Sequence, residues 1–418
     1  MITTELHIHG PSVVQSDNRD IRSRFESLLL CIVLLELFLM GSGRLLELGP
    51  VTLRMLLFCL CLFSAAYNIA TGRKGVSQFL FFLVGSYLVL MLEATFLGYI
   101  SLSDPSLVFE DVKPLIYFLM VVYFEMTITD SSRIRLVSSL VKIAAVTMAI
   151  IYLMLICMVY SGIVDFSQVY GWVGSSSEFM FRGETGEAGL FYKGFLYICV
   201  GLIFFLFDGT SKSFLAVTLL VPAILLTFTK GFVVALIPTI LIGYYILSKK
   251  WVAVAAVALI LTAAAVFLFL NWFQVLGDKS ESDMLRIVTA QQVAEATTVP
   301  SVLVGQGFGQ GVYERPMHME TSLLEVFHKQ GVPGVAFWIM LLGCIVRYYC
   351  LAASRHNQRI ALPFALSAFF IYGQSISNPF MNNPIGMSFL LISLVTLRVL
   401  STSDQGGGRH DIRRHRAL

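Results

Sequence analysis

The sequence predicts an all-α, polytopic membrane protein, and two observations carry that prediction. Hydrophobic residues make up 57% of the 418 positions and charged residues 13%, a balance too apolar for a soluble chain of this length. The apolar residues also fall in blocks of about 20, the length a helix needs to cross a hydrocarbon core of roughly 30 Å. A β-barrel would show short alternating segments instead.

Taken in order, a polar leader over 1–24 precedes the first block and carries no cleavage site of a signal peptide. Twelve spans are expected, near 25–42, 51–71, 77–100, 114–129, 136–161, 189–207, 213–229, 231–248, 251–272, 321–346, 361–379 and 385–400. They form one transmembrane domain over 25–400, followed by a basic tail over 401–418. The fourth and last blocks are short, and 213–248 also reads as a re-entrant pair. Lys and Arg in the short loops set the orientation. Arg73, Lys74, Arg133, Arg135, Lys249 and Lys250 fall on the side of the basic tail, whereas the short loops of the other side hold Arg44 and Lys113. Both termini are therefore expected in the cytoplasm. Segments 101–113, 162–188 and 273–320 are expected outside, the last two as large extracytoplasmic loops.

The net charge of +3 follows from that cytoplasmic bias and gives no reason to expect nucleic acid as a partner; the bilayer is the expected one. All seven cysteines lie in or beside spans, so no disulfide framework is expected. Glu93 is the one clear intramembrane acid, with Glu125 near an inner end, and no internal repeat is visible. A secondary transporter would place its charges near the midplane, between repeats.

The polar chemistry gathers on the outer side. Arg182 precedes the sixth span and Lys193 lies in its first turns; Lys230 separates two apolar blocks; Arg286 lies on an amphipathic stretch of the second large loop. A cation at a membrane boundary is costly unless it snorkels or meets an anion. Local partners exist: Glu184 and Glu187 for Arg182, Asp283 for Arg286, and lipid headgroups for Lys230. The alternative is a shared phosphate-bearing ligand, for which Arg offers a planar fork of donors and Lys a point charge.

The segment 305–334, GQGFGQGVYERPMHMETSLLEVFHKQGVPG, closes the longest polar excursion in the chain. Its alternate glycines follow no βαβ pattern and suit a closely approached backbone. Ser322 and Glu325 read as a capping box opening the tenth span, with Glu325 and Lys329 four apart on one helical face. Glu320, just outside that helix, reads either as a dipole-stabilising acid or as a general base at the membrane boundary. His318 competes for the same role, and Arg315 adds a further cation to the segment. No outer segment places Asp, Glu or His at ligand spacing, so no metal and no other cofactor are expected.

Four elements taken together resemble the superfamily of O-antigen polymerases and O-antigen ligases, glycosyltransferases of the GT-C type. They are Arg182 in the first large loop, Lys230 in T-x-T-K-G, Arg286 in the second loop, and G-x-G followed by E-T-S-L-L-E ahead of G-V-P-G. The resemblance covers roughly residues 180–335. Ligases typically carry His where Glu320 stands, which favours polymerase, and tend to carry Arg where Lys230 stands. The resemblance implies a GT-C-like fold and an undecaprenyl-diphosphate-linked oligosaccharide as both donor and acceptor, at the periplasmic face of a bacterial inner membrane. The residues and the resemblance together give Arg182, Arg286 and Glu320 as expected catalytic residues and Lys230, Lys193, Arg315 and His318 as expected diphosphate- or glycan-binding ones. A chain-length regulator and a flippase are implied as partners. A ligase acting on lipid A–core, or a lipid-linked oligosaccharide flippase, is the alternative.

Overall fold

The computed structural model describes residues 13–414 apart from 42, 44, 49–50, 102–104, 174–178, 183–188, 208–212, 228, 251–254, 256–258, 260–279 and 354–356. The N-terminal half begins with α1 (Val13–Leu39), a two-residue ribbon β1–β2 (Glu47–Leu48, Val51–Thr52), α2 (Leu53–Ala70), α3 (Gln78–Ser101) and α4 (Ser106–Leu115). A 3₁₀ turn over Ile116–Leu119 leads into α5 (Met120–Thr127), then come α6 (Ser131–Tyr160) and α7 (Phe166–Val173). A hairpin β3–β4 (Phe179–Arg182, Gly189–Tyr192) precedes α8 (Leu196–Phe207), α9 (Ser213–Leu226) and α10 (Lys230–Ser248). The C-terminal part holds α11 (Ser280–Ala296), α12 (Val299–Val304), α13 (Ser322–Ala352), α14 (Gln358–Gln374) and α15 (Pro384–Arg414).

Among the described residues six helices are long and apolar enough to cross a membrane, within α2, α3, α6, α10, α13 and the 384–402 part of α15. Lys193–Phe207 and Ser213–Leu226 are shorter apolar helices. This is a multi-pass helical membrane protein. The expected ninth span, 251–272, lies almost wholly outside the described residues. The expected fourth span, 114–129, is not one continuous helix. Pro114 ends α4, and the chain passes through the 3₁₀ turn before α5, because hydropathy reports burial and not an unbroken hydrogen-bond ladder. The two short antiparallel ribbons also modify an all-α reading.

Helix starts follow local chemistry where the sequence offers a cap. Asp130 accepts from the backbone N–H groups of Ser132 and Arg133 at 2.8 and 3.0 Å and so opens α6, as side-chain oxygens do for orphan amides. The bundle is built around α15, whose apolar window is 78% buried, against 22–33% for the other five. Its neighbours include α5, α13 and α14. The lower burial of the rest fits helices whose outer faces meet lipid.

The sequence reading overlooks one buried ion pair. Glu36 of α1 and Arg54 of α2 lie 3.0 Å apart with both side chains nearly inaccessible, and Arg54 also donates to the Gly41 carbonyl at 2.8 Å. Glu93 is therefore not alone as an intramembrane acid. Arg54 sits in the first turn of α2 and Glu36 in the last turns of α1, so the pair ties two consecutive helices at one end. Both charges are neutralised where they would otherwise be costly. At the opposite end of the bundle Arg398 meets Glu125 at 2.7 Å.

Candidate active site

A kink in α13 creates the site. Gly331 has φ 65°, a conformation that favours glycine, and Pro333 follows two residues later. Pro333 has no N–H to offer the Lys329 carbonyl. Gly307 supplies that donor instead at 3.1 Å, and Gln306 donates to the His328 carbonyl at 2.7 Å. Gly305 (φ 79°) permits this contact, because a Cβ there would lie 2.3 Å from the Lys329 carbonyl carbon and oxygen. Phe308 then donates to the Ala94 carbonyl at 2.8 Å. The glycine-rich stretch is thereby wedged between α3 and α13, with its backbone groups satisfied by the carbonyls that the kink leaves open.

Beneath this wedge lies a buried charged cluster. Lys329 places its ammonium 2.8 Å from Asp111 Oδ1 and 2.7 Å from Glu325 Oε1, and also donates to the Met317 carbonyl at 2.7 Å. Asp111 comes from α4 and accepts from the Gly309 N–H at 2.6 Å. Asn382, in the turn before α15, donates to Glu325 Oε2 at 2.6 Å and accepts from the Ser322 hydroxyl at 3.0 Å. His318 closes the top, with Nδ1 at 3.3 Å from Asp111 and 3.4 Å from Glu325. Its hydrogen bonds to those two carboxylates raise its pKa to about 9 against the opposing effect of burial, so the imidazole is charged at neutral pH. Burial pushes the Asp111 carboxyl up, but His318, Lys329 and the Gly309 amide outweigh it and hold it below its ordinary range. Two anions therefore face two cations, which is how buried charges are tolerated.

The capping-box reading does not survive. Thr321, not Ser322, is the N-cap residue of α13, and no side chain caps the helix there. The Ser322 amide instead donates to the Ser375 carbonyl at the end of α14 at 3.0 Å. The Glu325 carboxylate is committed to Lys329, Asn382 and His318. Asp111, His318 and Glu325 bring ligand atoms within 4.8 Å of one another, a spacing compatible with a cation. The Lys329 ammonium stands between the two carboxylates.

A second set of charges lies at the mouth. Arg286 Nε donates to Glu320 Oε2 at 2.7 Å, and Arg315 Nη2 donates to Glu320 Oε1 at 2.5 Å. All three side chains are half-buried. The partner foreseen for Arg286, Asp283, has its side chain outside the described residues. Packing brings Arg286 in: Val293 of α11 is buried with Val312 and Met319, against Leu324 and Phe327 of α13. Gln292 accepts from the Glu314 amide at 3.1 Å and Gln306 donates to the Ala296 carbonyl at 2.8 Å. These contacts dock α11 on the 305–320 segment.

The other expected cations lie on elements of the same end. Lys230 opens α10, and Gly231 beside it abuts Gln374 and Ser377 at the end of α14. Lys193 begins the 3₁₀ turn ahead of α8. Arg182 ends β3, paired in register with Gly189 of β4; its side chain lies outside the described residues. Aromatic contacts link the hairpin to the site: Phe191 packs on Phe232 at 5.9 Å, and Phe232 on Phe380 at 6.4 Å, two residues before Asn382. Thus Arg286, Arg315 and Glu320 meet directly, His318 joins Asp111 and Glu325 instead, and Lys193 and Lys230 are grouped with them only by element. Asp111, Lys329 and Asn382 are the participants that sequence reasoning missed. The Glu325–Lys329 spacing was the one visible signal, a charged pair in the opening turns of an apolar helix.

Comparison with known proteins gives the site a context. The chain is 28% identical over 379 residues to an O-antigen polymerase of Shigella flexneri, a match covering 89% of this chain and 93% of that protein. The chain is similar to that polymerase over most of its length. No family model matches it. The match is far wider than residues 180–335, so the likeness extends to the N-terminal helices that carry Asp111. The segment singled out by its polarity is also the one around which both charged sets are built.

Proposed function

We propose that this protein joins polyprenyl-diphosphate-linked repeat units into longer lipid-linked chains, by an inverting glycosyl transfer at the periplasmic face of the inner membrane. The observation that carries the reading is the meeting of Arg286, Arg315 and Glu320 at one mouth of the helical bundle. The overall similarity to an O-antigen polymerase supports it.

The chemistry follows from the residue types. The donor presents its anomeric carbon bonded to a diphosphate oxygen. As that bond breaks, its electron pair goes to the diphosphate, and guanidiniums of Arg286, Arg315 and Arg182, with Lys230, Lys193 and His318 as further cations, stabilise the growing charge. Such a contact is worth on the order of 100-fold in rate. The acceptor hydroxyl forms the new bond to carbon from the opposite face, and its proton passes to Glu320. One displacement with one base inverts the anomeric centre. The activated leaving group requires no nucleotide sugar.

The direct test supplies purified protein in lipid nanodiscs with a single lipid-linked repeat unit. Longer lipid-linked chains with inverted linkages are expected, and Arg286→Ala or Arg182→Ala should abolish them with membrane insertion intact. Lys at either position should rescue only in part, because the two-donor fork is lost. If both Ala variants extend chains at the normal rate, the diphosphate-clamp reading is wrong.

Metal independence is a second expectation, motivated by the Lys329 ammonium that already neutralises Asp111 and Glu325. Chain extension should be unchanged in EDTA. Activity lost to chelation and restored by Mg²⁺ or Mn²⁺ would assign those carboxylates to a metal instead.

A further inference from the structure

The mouth charges conflict with a simple role for Glu320. Its two carboxylate oxygens are each engaged by a different guanidinium, Oε2 by Arg286 and Oε1 by Arg315. While both pairs hold, the carboxylate is turned to the guanidiniums and not to an acceptor hydroxyl. The N–H groups that grip Glu320, Arg286 Nε and Arg315 Nη2, are withheld from a diphosphate for as long as the pairs hold. His318 does not resolve the conflict. Its Nδ1 is committed to Asp111 and Glu325, and a charged imidazole has no lone pair to offer.

We propose that Glu320 and the donor's diphosphate compete for Arg286 and Arg315, so that loading the donor is what uncovers the catalytic carboxylate. This rests on the polymerase reading given above. In the unloaded protein Glu320 serves as an internal stand-in for the substrate anion: it neutralises the two guanidiniums and keeps them at the mouth. A diphosphate brings more negative charge and more acceptor oxygens than one carboxylate, and phosphate suits the planar arginine fork at least as well. The guanidiniums therefore transfer to the donor, and Glu320 is left free beside the donor's anomeric carbon.

Two features of the fold suit such an exchange. The three side chains are about one-third exposed, at 34, 32 and 29% for Arg286, Arg315 and Glu320, so the pairs can open without stranding a charge in the bilayer core. Arg286 and Glu320 are carried by separate elements, α11 and the segment before α13, whose packing does not depend on the ion pair. The consequence is an order of events. Donor binds first and acceptor second, and the base is shielded whenever the donor site is empty.

The exchange is testable with inorganic pyrophosphate as the probe, using the full-length protein in nanodiscs. Glu320→Gln removes the competing anion, so pyrophosphate should bind about tenfold tighter, the weight of two half-exposed ion pairs taken together. An unchanged affinity would show that Glu320 does not compete for the arginines, and a lower one that it only positions them. Either of those results overturns the proposal. A measurement on the unaltered protein guards against a variant that misfolds. Carbodiimide labelling of Glu320, read by mass spectrometry, should rise severalfold when pyrophosphate saturates the site. Unchanged or reduced labelling refutes the exchange. Failure of the same preparation to extend a lipid-linked repeat would count against the polymerase reading alone, because neither pyrophosphate measurement depends on turnover.

Discussion

Glu320→Gln is expected to lower chain extension by about 10²–10⁴-fold, the usual worth of a positioned general base, while the donor still binds. The substitution keeps the size and planarity of the side chain and removes only the charge and the proton-accepting capacity. The Gln carbonyl can still accept from one guanidinium, so Arg286 and Arg315 remain at the mouth and the α11 contacts through Val293 and Gln292 are untouched. A single-turnover assay with preloaded lipid-linked donor separates loss of chemistry from loss of binding. Full activity in Glu320→Gln together with an inactive His318→Ala would identify the histidine as proton acceptor. That outcome would also weaken the case for polymerase over ligase, since a ligase-like base would then be in use. The charged state of His318, held by two carboxylates, argues for the first result.

Lys329→Met carries the largest expected effect on stability. The ammonium lies 2.8 Å from Asp111 Oδ1 and 2.7 Å from Glu325 Oε1, closer to both than the His318 ring nitrogen, and it is 3% exposed. Methionine fills much of the same volume but leaves two buried carboxylates facing each other with His318 as their remaining cation. Breaking a buried pair by removing one partner typically costs about 3–5 kcal/mol. The variant should unfold at a markedly lower temperature or fail to accumulate in the membrane. Adding Glu325→Gln should recover a large share, because it removes the charge left over. An unchanged melting temperature in the single variant would mean that the two carboxylates carry no net charge in the folded protein. Chain extension should fall alongside stability, since Lys329 also holds the Met317 carbonyl at the base of the loop that presents His318 and Glu320.

Much of this protein follows from sequence because the relevant physics is local. A bilayer excludes unsatisfied backbone and charge, so membrane class can be read from apolar blocks alone. The same logic makes the polar run from Gly305 to Gly334 conspicuous, and there Arg286 and Arg315 do meet Glu320 while His318 turns to Asp111 and Glu325. The glycines of that run read as a closely approached backbone, and Gly305 lies against the Lys329 carbonyl.

Only the tertiary structure decided which charges meet. Arg286 and Glu320 are 34 residues apart, and Asp111 and Lys329 are 218 apart; no periodicity encodes either pair. Glu325 carried a plausible local role as a cap, and three-dimensional packing overrode it by supplying Lys329, Asn382 and His318 as stronger partners than a backbone amide. Arg54 escaped notice for the same reason, since its compensating acid, Glu36, lies on another helix. Hydropathy located the block at 114–129 but not its break, because burial and helical continuity are separate requirements. The sequence states which groups the membrane will not tolerate alone, and the fold determines with whom each is paired.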